Sequence, residues 1–349
     1  MPKIAVIPGD GVGIEVIAEA VKVLNEVNRL DQLGLELVHF DFGAERYLKT
    51  GEAMPPGQID EFRKHYDAIL LGALGDPRIP DMAHGRAILL ACRFELDLYI
   101  NLRPVKLIHE KLCPIKNKGP EQVNFVVFRE NTEGPYVGAG GFLKKNTPDE
   151  VAVQQSIHTR KGVERIIRAA FEYARDHGLP KVTMADKSNV LRYGHDLWQR
   201  TFHEVGEAFP EIEKEHYYVD ALVMEMVRQP ERFHVIVTEN MLGDIITDLG
   251  AMLQGGMGMA ASGNIHPGQV SLFEPVHGSA PPIAGKNIAN PIAAILSAAM
   301  MLEHLGHAGS AERIERAVVK AVMENVVTED LGGRYGTREV GDFVASHLT

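Results

Sequence analysis

Apolar and polar positions follow two rhythms along the 349-residue chain. Short, nearly unbroken apolar runs recur as "KIAVIPG", "LELVHFD", "AILLGAL", "NFVVFRE", "KVTMAD" and "FHVIVTEN". Runs of this length read as strands buried on both faces. Between them lie Ile14–Leu30, Arg160–His177, Tyr193–Ala208, Ile245–Gln254, Pro291–Leu305 and Ala311–Val327, where apolar residues return every three or four positions. That spacing predicts helices. Strand alternating with helix is the α/β signature, with a largely parallel sheet. The length accommodates two domains at roughly 150 residues each. One stretch breaks the rhythm: in Gly140–Thr159, "GGFLKKNTPDEVAVQQSIHT", a turn signal separates two β-like arms. A two-stranded hairpin is marginal alone. It packs either on its own domain or on another subunit, and the sequence leaves both open.

Composition narrows the partners. Hydrophobic residues make up 45% of the chain and the net charge is -11. Such a charge argues against nucleic acid or an anionic membrane as partner, and an anionic substrate would need a local arginine cluster. The two cysteines, Cys92 and Cys113, form no CxxC pair and suggest no disulfide framework. The N-terminus reads as a strand and glycine turn rather than a signal peptide, and no apolar stretch is long enough to span a bilayer. A soluble cytoplasmic protein is expected.

Three groups of residues carry candidate chemistry. "PGDGVGIEV" invites a dinucleotide-fold reading, but Gly9, Gly11 and Gly13 are spaced G-x-G-x-G, and the candidate ribose acid, Asp41, stands far off in "HFDFG". A tight strand-to-helix turn near a ligand is the better reading. In "ENMLGDIITDLGAML" two aspartates, Asp244 and Asp248, share one face of a helix that otherwise reads as largely buried. Like charges at that spacing repel, and a hard divalent cation would relieve them; arginines or water would also answer them. A third acid, Asp220, sits in the mostly apolar "YVDALVMEM". Finally, Arg93 and Arg103 flank "RFELDLYINLRPV", and Arg129 ends "NFVVFRE". Converging, they would clamp a di- or tricarboxylate through bidentate forks; apart, they are three structural ion pairs.

Taken together, "IPGDGVGIEV", "RFELDLYINLRPV", "FRENTEGPY", "ADKSNVL", "VDALVMEMV", "TENMLGDIITDLGA" and "LFEPVHGSAPPIAGKNIANP" resemble the β-decarboxylating, metal-dependent 2-hydroxyacid dehydrogenases, whose members act on 3-isopropylmalate, isocitrate, homoisocitrate, tartrate or D-malate. The resemblance runs nearly end to end. It implies an α/β fold of two domains around a central mixed sheet, with the active site in a cleft between them. Residues 1–102 and 255–349 would form the larger domain and 103–254 the smaller. It also implies a homodimer with shared active sites, and so favours an intersubunit role for the 140–159 arm. By position, Arg93, Arg103 and Arg129 would clamp the malate carboxylates. Asp244 and Asp248 of one subunit, with Asp220 of the other, would hold Mg2+ or Mn2+ and, through it, the substrate. Lys187, supplied like Asp220 by the other subunit, would be the base for the hydroxyl proton, and Tyr136 the acid that protonates the carbon left by CO2.

The same resemblance bears on substrate and cofactor. In "RAILLACRF", Ala87 and Leu89 stand where isocitrate enzymes carry serine and asparagine. Leu89, Leu90 and Val190 would form an apolar pocket for an isopropyl group, worth roughly 0.8 kcal/mol per carbon. The expected reaction is oxidative decarboxylation of 3-isopropylmalate in leucine biosynthesis, with D-malate second and isocitrate or homoisocitrate after it. Arg86 stands where many relatives have an acid near the nicotinamide. Glu274–Pro291 resembles the adenosine-binding loop, giving Glu274, His277, Gly278, Ser279, Ala280, Ile283 and Asn290 as cofactor residues. Pro282 replaces the aspartate usual in NAD enzymes, yet no cation is offered to a 2′-phosphate, so NAD is expected. The rival class is a non-catalytic regulatory subunit, against which stands the presence of every metal acid, the lysine and the tyrosine.

Overall fold

The computed structural model describes residues 1–349. Its strands are β1 (Lys3–Gly9), β2 (Glu36–His39), β3 (Ala68–Ala73), β4 (Ile100–Lys106), β5 (Asn124–Glu130), β6 (Gly140–Leu143), β7 (Val151–Gln154), β8 (Lys181–Asp186), β9 (Glu213–Tyr218), β10 (Val235–Thr238), β11 (Ala261–Ile265) and β12 (Ser271–Pro275). Chain packing separates two compact units. The first is Met1–Leu98, Lys106–Pro120 and Ala251–Thr349; the second is Tyr99–Val105 and Glu121–Gly250.

In the first unit the strands run β2-β1-β3-β12-β11. All neighbours are parallel except β11 and β12, so the sheet is mixed. Ile4, Ala5, Val6 and Ile7 of β1 and all six residues of β3 are buried, as a parallel sheet covered on both faces requires. The helices Val12–Asp31 and Ile292–His304 pack on this sheet and on each other. At the β1-to-helix turn Asp10 is an anchor. Its carboxylate accepts from Ala44 N at 2.6 Å and Gly75 N at 2.9 Å, and pairs with His84 Nε2 at 2.8 Å. Gly11, at φ +55°, lies so close to the Ser279 carbonyl that a Cβ has no room. The glycine turn therefore packs directly on the Glu274–Pro291 loop.

The second unit runs β4-β5-β10-β8-β9, with β5, β10, β8 and β9 parallel. The amphipathic helix Arg160–Asp176 covers β5, β8 and β10. Thr159 caps it by accepting from Gly162 N at 3.0 Å. From its buried face Phe171 stacks on Phe209 and packs tilted against Phe202, each such buried ring contributing about 1.5–3 kcal/mol. β6 and β7 form a separate antiparallel ribbon, pairing Gly140 with Gln154 and Leu143 with Val151. All eight of its residues are exposed. No helix is long and apolar enough to cross a membrane.

Four strands escaped the apolar-run reading: β4, β9, β11 and β12. β9, "EKEHYY", is an edge strand, and its polarity belongs to an edge that must not recruit partners. The helix expected at Ile245 begins at Asn240. Its first turn is capped by the buried Glu239 carboxylate, which accepts from Met241 N and Leu242 N at 2.9 and 2.8 Å. That helix is also less buried than its sequence suggests. Ile245 is 58% and Met252 54% exposed, because one apolar face has nothing packed on it within the chain.

Candidate active site

In open parallel sheets, ligands gather where strands end at their carboxyl edge. In the second unit, three neighbouring strands deliver chemistry there: Arg129 from the end of β5, Asn240 and the helix Asn240–Leu253 just after β10, and Lys187 just after β8.

Asp244 is the centre. Arg129 Nη1 donates to its Oδ1 at 2.5 Å, Arg103 Nη1 lies 3.3 Å from the same oxygen, and Tyr136 donates its hydroxyl to Oδ2 at 2.7 Å. Arg129 is only 1% exposed, and its remaining nitrogens reach Asn240 Oδ1 at 3.1 and 2.8 Å. Arg103 also donates to Thr247 Oγ1 at 2.6 Å. Both buried guanidiniums are thus answered by the same helix. Gly243 makes this approach possible: a Cβ there would stand 2.5 Å from Arg129 Cγ.

One turn on, Asp248 is exposed. Burial of its carboxyl and the charge of Asp244 raise its pKa above the ordinary aspartate value, with Arg103 and Arg129 opposing. Lys187 Nζ bonds Asp220 Oδ1 at 2.5 Å, which lowers the Asp220 pKa. Asp220 is solvent-exposed, so the apolar surroundings expected for it in sequence are absent. Within one chain no three His, Cys, Asp or Glu side chains gather as a metal-binding group. The Asp244–Asp248 pair is nonetheless a set of hard oxygen donors whose mutual repulsion a divalent cation would relieve.

The first unit holds the other expected residues. Arg93 is buried and pairs through Nη2 with Glu274 Oε1 at 3.0 Å; its Nε finds no partner. Asn264 donates to the same Glu274 oxygen at 2.9 Å. Glu274 thus lies in β12 as an arginine partner rather than on the cofactor pocket. Leu89 and Leu90 are half-buried in a π-helical segment, Arg86–Leu90. Leu89 leans on the core beside Ile88 and Cys92. Such wide turns interrupt α-helices often at functional places. Val190, in the second unit, is 64% exposed. Asp41 pairs with Arg46 on the surface.

A cavity of about 390 Å³ is lined by His277, Gly278, Ala280, Ile283 and Asn290, together with Val12, Gly258, Ile288, Ala289 and Asp330. His277 Nδ1 contacts Gly278 O at 3.0 Å, while its Nε2 is buried without a partner. Burial lowers the His277 pKa, keeping the ring neutral. An unsatisfied neutral imidazole nitrogen in a mostly apolar pocket suits a heteroaromatic base. Ser279 does not line the cavity; its carbonyl accepts Val12 N at 2.8 Å. Sequence reading missed Asp330, which accepts from Asn290 Nδ2 at 3.0 Å. Only its place in "TEDLGG", an acid before paired glycines, could have flagged it.

The fold is of the α/β class, and the family profile described as Isocitrate/isopropylmalate dehydrogenase matches residues 3–344. The chain belongs to that family, and with it to the decarboxylating dehydrogenases. It is 49% identical to the 3-isopropylmalate dehydrogenase of Thermobifida fusca (strain YX) over 348 residues, covering 99% of this chain and 97% of that one. It is likewise 49% identical to the 3-isopropylmalate dehydrogenase of Nocardia farcinica over 352 residues, covering 99% of each. Among solved structures, isocitrate dehydrogenase from Methylococcus capsulatus superposes with a TM-score of 0.89 at 38% identity, covering 100% of this chain and 99% of that one.

Proposed function

We propose that this protein oxidises and decarboxylates 3-isopropylmalate to 4-methyl-2-oxopentanoate and CO2, reducing NAD, in leucine biosynthesis. It does so in the cytoplasm, as a homodimer with shared sites. The observation that carries the reading is the convergence of Arg103, Arg129 and Tyr136 on Asp244, the carboxylate the family resemblance assigns to the metal.

Arg103 and Arg129, with Arg93, bind the substrate carboxylates; Arg129 stands at the carboxyl end of β5 and Arg103 within β4. Asp244 and Asp248, with Asp220 of the partner subunit, would hold Mg2+ or Mn2+, which supplies Lewis-acid stabilisation of charge on the substrate oxygen. Lys187 Nζ, from the same subunit as that Asp220, would take the C2 hydroxyl proton, and NAD bound in the cavity of His277, Ile283 and Asn290 would supply the hydride acceptor. Tyr136, whose hydroxyl already donates a hydrogen bond in the site, returns a proton to the carbon that loses CO2.

Substrate choice rests on Leu89, Leu90 and Val190, which offer no polar group to a third carboxylate. The names of the relatives point the same way. NAD is favoured because no lysine or arginine lines the adenosine cavity, and the carboxylate of Asp330 would repel a 2′-phosphate. The dimer is supported by exposed apolar side chains on two helices, Met224 and Val227 on one and Ile245 and Met252 on the other, and by the exposed β6–β7 ribbon.

The test is NADH formation from 3-isopropylmalate with Mg2+ present, alongside light scattering for mass. Turnover by a dimer is expected. Absence of turnover with any malate-type substrate would favour a regulatory subunit.

A further inference from the structure

We infer that His195 is a positioning residue for Lys187, holding the backbone of the proposed base through a neutral imidazole. The inference rests on the reading of Lys187 as that base.

The parallel ladder of β8 ends with Asp186 opposite Tyr218, so Lys187 leaves the sheet with no strand to hold it. The chain beyond is exposed: Val190 is 64% and Tyr193 94% accessible. A base on such a loop needs other anchors, since a misplacement of about 1 Å costs up to about a hundredfold in rate. The anchors are local. The Lys187 carbonyl accepts from Val190 N at 3.0 Å and Leu191 N at 2.9 Å. Asp186, one residue earlier, is held by Gln199 Nε2 at 2.7 Å, His216 Nε2 at 2.9 Å and Ser188 N at 3.1 Å. The Lys187 amide itself donates to His195 Nδ1 at 2.8 Å.

That last bond constrains the ring. Nδ1 accepts only when it carries no proton, so His195 is the neutral Nε2–H tautomer. The ring is 1% exposed, and its Nε2 is buried with no partner. A polar ring with one nitrogen left unsatisfied is a poor choice for a buried helix start unless the other nitrogen does a job. An apolar side chain would fill that place with nothing left unpaired. The groups facing the ring are Asp186 and Lys187 from β8 and its continuation, and His158, whose ring meets it edge-on at 5.6 Å. Burial lowers the His195 pKa against the opposing charge of Asp186, which keeps the acceptor available.

The test compares three variants in the full-length enzyme with Mg2+, NAD and 3-isopropylmalate. In His195→Asn the amide oxygen falls near the place of Nδ1 and keeps the acceptor. His195→Gln and His195→Leu fill the space without an acceptor there. Asn is expected to keep kcat within about twofold. Gln and Leu are expected to lose about 10–100-fold in kcat, with KM within about twofold and melting temperature matched to Asn. Full kcat in a folded Gln or Leu variant overturns the inference, as does equal loss in Asn. If Gln and Leu both fail to fold, His195 is structural and the inference is likewise overturned. Lys187→Met separates the premise: kcat retained there removes the base itself, whatever His195 does.

Discussion

Tyr136 donates its hydroxyl to Oδ2 of Asp244 at 2.7 Å, while Arg129 donates to Oδ1 of the same carboxylate at 2.5 Å. One side chain therefore orients the proposed proton donor and a proposed substrate arginine, and is itself a proposed metal ligand. Asp244→Asn keeps the size but turns one acceptor into a donor that faces Arg129 or Tyr136. Turnover is expected to fall by at least about 10²–10³, with circular dichroism unchanged. Near-normal turnover would remove Asp244 from the chemistry.

Gly243 lies beneath the Arg129 side chain, and a Cβ there comes within 2.5 Å of Cγ. Arg129 is 1% exposed and cannot swing out without leaving its charge unpaired. Gly243→Ala is expected to cost about 1–3 kcal/mol in denaturant unfolding and to raise the KM for substrate more than the KM for NAD. Equal effects on both would mean the helix moved as a whole.

Partial desolvation of its carboxyl, although the side chain reaches solvent, and the neighbouring Asp244 charge raise the Asp248 pKa above the ordinary aspartate value. A raised carboxylate favours the protonated form, so its own contribution to stability is present at low pH and lost as pH rises through the folded value. A cation needs the ionised form, so metal binding runs the opposite way. Mn2+ affinity measured by calorimetry is expected to decline on acidification at a pH above that where a free aspartate protonates. Asp248→Asn should remove that early decline and weaken binding throughout.

His158 accepts from Trp198 Nε1 at 3.2 Å, and burial lowers its pKa from 6.5 to about 4, with His195 adding to the shift. The unfolded chain takes up this proton first as pH falls. The stabilisation is therefore complete above about 6.5 and lost down to about 4, amounting to no more than about 3 kcal/mol for a partly accessible ring. His158→Asn keeps an acceptor for Trp198 and removes the titration. Melting temperature against pH should be flatter in that variant over this window, and an unchanged acid slope would assign the loss elsewhere.

Much of the fold is legible in the sequence, for definite reasons. β1, β3, β5 and β10 read as strands because both faces are buried, and their runs are continuously apolar. β9 did not, because an edge strand carries charge where a central one carries valine. The start of the Asp244 helix was hidden because its cap is a glutamate, Glu239, outside the usual Ser, Thr, Asp or Asn signal. Asp244 and Asp248 could be placed on one face from their spacing alone. That Arg103, Arg129 and Tyr136 meet at Asp244 could not, since these contacts join residues over a hundred positions apart. The outward face of Ile245 and Met252 also lay beyond periodicity, which records apolar positions but not which neighbour covers them.

Substrate and cofactor choice are decided together by kcat/KM for 3-isopropylmalate, D-malate and isocitrate, each with NAD and with NADP. The apolar Leu89–Leu90 segment, and the cavity at His277 proposed for adenosine, which no lysine or arginine lines, predict the highest value for 3-isopropylmalate with NAD. Isocitrate should lag by at least about two orders of magnitude, the cost of facing a carboxylate with hydrocarbon. Preference for isocitrate, or for NADP with any of the three, would contradict the proposed function.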